Sequence, residues 1–168
     1  TSRDVTLNVS IHDVNPVSFK LINDGEAWPD AWRTTATPVD IPWTLSTGPD
    51  GPRTVRMQVR DSANNEVVTM DEIVLDTTSP QCPLVLNDVA QFTTTLLVQA
   101  TLTASDATSG LDVMRISDSG DFTGMVWQTL KESFRWPLPS GDGTKTVYVQ
   151  LRDNAGLVST TDASIILD

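Results

Sequence analysis

The stretch TVYVQLRDNAG (Thr146 to Gly156) restates TVRMQVRDSAN (Thr54 to Asn64) at a constant offset, 146 − 54 = 92 positions. Both alternate apolar and polar residues with a period of two, the signature of a strand that buries one face. Val147, Val149 and Leu151 share one side, and Tyr148, Gln150 and Arg152 share the other. Val55, Met57 and Val59 repeat the inward set. A chain that writes one strand and one turn twice builds one kind of unit twice.

The correspondence extends both ways with small changes of offset, as expected when loops vary in length and strands do not. VTLNVSIHD (Val5 to Asp13) lies over VQATLTASD (Val98 to Asp106), and Phe19, Leu21, Gly25 and Trp32 lie over Met114, Ile116, Gly120 and Trp127. Trp43 to Leu45 lies over Trp136 to Leu138, and IVLD (Ile73 to Asp76) over IILD (Ile165 to Asp168). Val5, Leu7, Val9 and Ile11 should point inward, as should Val98, Ala100, Leu102 and Ala104. Long helical periodicity is absent, and the segments between strands are rich in Gly, Asn, Asp and Pro. Short strands with such turns, repeated within about 75 to 90 residues, predict an all-β chain of two tandem antiparallel sandwiches of immunoglobulin-like type. The expected domains are 1–78 and 79–168, with the boundary near Thr78 to Gln81. There DTTSPQCPLVLND (Asp76 to Asp88) reads as an extended connector stiffened by its prolines.

Charge and composition narrow the functional classes. Twenty-two acidic residues against 11 basic ones give a net charge of −11, which opposes nucleic acid and acidic lipid but suits calcium. The single cysteine, Cys82, allows no intrachain disulfide and reads as a small residue in the connector. No apolar run approaches the ~18 residues of a spanning helix. The single histidine, His12, falls at an outward strand position next to Asp13 and reads as a surface residue. No catalytic cluster is expected, and the chain reads as non-enzymatic.

The combination of MRISDSGDF followed by Trp127, then WPLPSGDGTKTVYVQLRDNAGLVS, and a connector of the form DTTSP resembles the tandem immunoglobulin-like (fibronectin type III-like) repeats of large bacterial and archaeal extracellular and cell-surface proteins. The likeness is fuller in the second repeat than in the first, where DSANNEV lacks the turn glycine. It implies an extracellular or cell-surface setting and a structural role: a stalk, adhesin, S-layer or filament subunit whose partners are other domains or copies of the same protein. The alternative it implies is a carbohydrate-binding or accessory module of a secreted hydrolase.

Two sites are expected. In such a sandwich the strand ending at Asp106 and the hairpin starting at Asp153 turn at the pole where the chain enters the second domain. Asp76, Asp106 and Asp153, with Asn154 and connector carbonyls, would then offer the oxygen ligands calcium prefers and lock the two domains in a line. The competing reading has each aspartate capping its own turn. The first repeat would bring Asp13 and Asp61 together in the same way. The recurrent Trp32/Trp127 and Trp43/Trp136 pairs read as core. Trp28, in GEAWPDAW, has no counterpart and is the candidate contact residue for a polysaccharide.

Overall fold

The structure, a computed structural model, describes residues 2–13, 17–34 and 38–168. Contacts divide the chain into two compact units, Thr1–Thr77 and Thr78–Asp168.

The first unit carries β1 (Asp4–Val9), β2 (Val17–Asn23), β3 (Val39–Thr44), β4 (Gly51–Asp61) and β5 (Glu66–Leu75). One sheet has the order β2-β4-β5 and the other is the antiparallel pair β1-β3. Period-two alternation delivers the core. Phe19 and Leu21 of β2, Val55 and Val59 of β4, and Leu45 are buried, with Val5, Leu7, Ile41 and Trp43 packed against them from the other sheet.

The second unit carries β6 (Leu84–Leu86), β7 (Phe92–Thr93), β8 (Leu97–Leu102), β9 (Leu111–Ser117), β10 (Gln128–Thr129), β11 (Ser133–Pro137), β12 (Gly143–Asp153) and β13 (Val158–Leu167). A five-stranded sheet, β10-β9-β12-β13-β7, packs on a three-stranded one, β11-β8-β6. Val98, Ala100 and Leu102 of β8 meet Met114 of β9, Val147, Val149 and Leu151 of β12, and Ile165 of β13. Each fully buried Val or Leu contributes about 1.5 to 3 kcal/mol.

The two central hairpins share one register. β4 pairs Thr54 with Glu72 and Val55 with Asp71, and β12 pairs Thr146 with Ser164 and Val147 with Ala163, 92 positions on. Their turns match as well. Asn64 N–H donates to Asp61 O at 3.2 Å, and Gly156 N–H donates to Asp153 O at 3.1 Å. Asn64 adopts φ 67° where Gly156 adopts φ 87°. Asparagine tolerates this left-handed conformation, so the first hairpin closes without the glycine.

The stretch after Pro80 does more than connect. Leu84–Leu86 is a strand paired antiparallel with β8, and Cys82, Leu84 and Leu86 are buried in the second core. Gln81 and Ser105 exchange backbone hydrogen bonds of 2.8 and 3.0 Å. Burial pushes the Cys82 thiol up from its usual pKa, so it acts as a small apolar residue rather than a nucleophile.

Trp43 and Trp136 pack against the two cores. Trp32 and Trp127 belong to neither core cluster. Lys20 and Arg60 stack on Trp32 at 4.6 and 4.1 Å, and Arg115 and Arg152 stack on Trp127 at 4.6 and 5.1 Å. The cations come from corresponding positions of β2 and β4, and of β9 and β12, so the repeat duplicates a cation–π clamp. The recurrence of these two rings in both repeats predicts core packing, and the structure instead stacks them under cations. The alternation of the strands fixes where the cations point, but not where a loop tryptophan returns.

Candidate metal centre

Strand parity carries two acids into the end of the second sandwich. Asp106 continues the inward series Val98, Ala100, Leu102, Ala104, and Asp153 continues Val147, Val149, Leu151 from the opposite sheet. Each takes the next inward position after the apolar residues run out. Asp76 follows the last residue of β5. Carboxylate oxygens of Asp76, Asp106 and Asp153 all lie within 4.8 Å of one another. Asp76 and Asp153 are each only 1% exposed, and Asp106 is half-buried.

The capping reading also describes part of this geometry. Asp106 Oδ1 accepts backbone N–H groups of Thr108 (3.1 Å), Ser109 (2.9 Å) and Gly110 (2.7 Å). Gly110 has φ +77°, and a Cβ there would come within 3.5 Å of Asn154 Nδ2. Asn154 Nδ2 donates to Ser109 O at 2.8 Å, so the Asn154 side chain braces the loop that wraps Asp106. Asp153 Oδ1 accepts Leu157 N–H at 2.8 Å.

Comparison with the first repeat shows what capping leaves over. Asp61 holds its turn with both oxygens: Oδ1 accepts Ala63 and Asn65 N–H, and Oδ2 accepts Asn65 Nδ2, each at 2.8 Å. The Asn65 side chain, then the Asn65 backbone, holds that carboxyl below the usual carboxylate pKa. The second repeat has Leu157 in place of Asn65 and therefore lacks the side-chain donor. Asp153 Oδ2 is buried and accepts no hydrogen bond from the described residues. A buried carboxylate oxygen without a donor is expensive, and two further acids beside it raise the cost. Two unit charges about 4 to 5 Å apart repel by roughly 3 to 4 kcal/mol at an effective dielectric near 20.

The donor set suits a hard cation. Three carboxylates offer only oxygen, which fits calcium and not the nitrogen and sulfur preferences of zinc. Asp13 is exposed, and among the described residues it does not join Asp61 in a group of three ligating side chains. His12 is exposed, with Nε2 at 3.2 Å from Ser10 Oγ. Trp28 is 36% exposed in the segment after β2. No helix among the described residues is long and apolar enough to cross a membrane.

No family model matches the chain, and no curated protein matches it. Solved structures do. The fibronectin(III)-like modules of Clostridium thermocellum CbhA superpose with a TM-score of 0.53 at 14% identity, covering 99% of this chain and 86% of that one. The FN1–FN3 domains of chicken CNTN1 give a TM-score of 0.50 at 11% identity, covering 99% of this chain and 62% of that one. The fold is the immunoglobulin-like β-sandwich. At these identities the likeness speaks for architecture, so an immunoglobulin-like sandwich can be assigned to the chain while its role must come from its own residues.

Proposed function

We propose that the chain is a non-catalytic structural module of an extracellular assembly, two sandwich domains in tandem, in which calcium bound by Asp76, Asp106 and Asp153 stiffens the connector. The observation that carries this reading is the buried, unpartnered Asp153 Oδ2 beside two more carboxylates. Calcium there would supply the missing partner and offset the mutual repulsion of the three carboxylates. Asn154 would act by bracing the Ser109–Leu111 loop around Asp106. Connector carbonyls and water would complete the six to eight oxygens calcium takes.

Calorimetric titration of the intact chain with calcium should show one site per chain. Asp106→Ala combined with Asp153→Ala should abolish the binding heat, and calcium should slow proteolysis in the exposed stretch Thr77–Ser79 in the parent chain only. A chain that gives no binding heat and is cut equally fast with and without calcium does not have this function. The second reading, an accessory carbohydrate-binding module, rests on exposed Trp28. It requires polysaccharide binding that disappears in Trp28→Ala.

A further inference from the structure

The two units differ at one seam. In the second unit a single segment closes it: β6 pairs antiparallel with β8, setting Leu84 opposite Leu102 and Leu86 opposite Ala100. β7 then pairs parallel with β13, with Phe92 opposite Ile166 and Thr93 opposite Leu167. Leu84 and Leu86 are buried at 8% and 3% exposure. The counterparts of β8 and β13 in the first unit are β1 and β5. Among the described residues β1 pairs only with β3, and β5 only with β4.

The uncovered seam shows in the side chains. Ile165 and Ile73 occupy the same register, paired with Lys145 and Arg53. Ile165 is 1% exposed and Ile73 is 45% exposed. Val98 is fully buried, whereas its counterpart Val5 is half-buried. A groove of about 510 Å³ runs between β1 and β5, lined by Val5, Leu7, Val9, Leu21, Val55 and Ile73 among others. Val67 and Met70, also on β5, are 61% and 69% exposed.

We propose that this groove is an acceptor site for an extended peptide strand from outside these 168 residues, apolar at alternate positions and carrying a cation. The pattern is set by the segment that fills the same place in the second unit. Apolar side chains two apart would face Leu7 and Val9, as Leu86 and Leu84 face Ala100 and Leu102, and the strand would continue alongside Val74 and Leu75 of β5. Main-chain hydrogen bonds to the free edges would supply affinity, as in other strand additions. The cation follows from Asp71. β13 has Ala163 at the matching inward position, and the groove is lined by Asp71 and Glu72 together. An inward charge on an edge strand repels indiscriminate partners. It also disfavours a second copy of this chain, whose β5 would bring the same two acids and whose net charge is −11.

The probe is a synthetic peptide of residues 80–93, native and with Val89→Lys, offered free and also tethered ahead of Thr1 by a Gly/Ser linker, which raises its effective concentration toward millimolar. Val89 is 78% exposed, so the lysine leaves the buried pattern intact. Binding should be one to one and should protect β1 and β5 amides from hydrogen exchange. The lysine peptide should bind up to about fivefold tighter, as one exposed ion pair allows. Asp71→Ala should keep the binding and lose that gain. No amide protection even with the tethered peptide overturns the proposal. So does a concentration-dependent dimer of the chain, seen by ultracentrifugation, that protects the same amides and resists the peptide.

Discussion

Leu151→Ala should lower the stability of the second unit by about 2 to 5 kcal/mol and its melting midpoint by roughly 10 °C or more. Leu151 is fully buried in the central strand of the larger sheet, between Val149 and Asp153 on the inward face. Truncation removes apolar contact and leaves a cavity that paired neighbours on both sides, β9 and β13, prevent from collapsing. The two core clusters share no residue, so amides of β12 and β13 should lose protection from hydrogen exchange while those of β4 keep theirs. Equal loss of protection in β4 would contradict the division into independent cores.

Asp153→Asn should give effects of opposite sign with and without calcium. Asparagine keeps an oxygen for the Leu157 N–H and replaces the unpartnered Oδ2 with an N–H donor facing two acids. In EDTA the variant should therefore be more stable than the parent, by about 1 to 2 kcal/mol, because one member of a buried like-charge group is gone. In calcium the order should reverse. A parent site filled at about a hundred times its dissociation constant gains roughly 2.7 kcal/mol, a gain the variant forfeits. Midpoints measured in both buffers give the comparison directly. If Asp153 only capped its turn, the substitution would leave both midpoints nearly unchanged and calcium would not alter their order.

Much of this is written in the alternation of the chain. The inward sets Val147–Val149–Leu151 and Val98–Ala100–Leu102–Ala104 place the core, and continuing the same parity by one more step puts Asp153 and Asp106 inside the pole. The decisive difference between the repeats is also present in the sequence, as Leu157 against Asn65. It has meaning only once hydrogen bonds show that Asn65 occupies the second oxygen of Asp61. Other features are not local. Cys82 to Leu86 reads as connector because its prolines suppress the strand signal, yet it pairs with β8 and fills the core. Trp32 and Trp127 look like core residues by recurrence, and only the return path of their loops reveals the cationic clamp. Ile73 of β5 aligns with Ile165 of β13, yet the apolar residues of β5 are exposed. Their exposure comes from the absence, among the described residues, of any strand beside β5 other than β4, which no property of β5 itself announces.

The most direct measurement is scanning calorimetry of the unmodified chain in EDTA and in millimolar calcium. The calcium account predicts that the transition of the second unit rises by about 10 °C or more, following roughly 2.7 kcal/mol of binding free energy at a hundredfold excess over the dissociation constant. Magnesium at the same concentration should do much less, because it keeps its waters and demands a tighter octahedron. Superimposable transitions in EDTA and calcium would contradict the account.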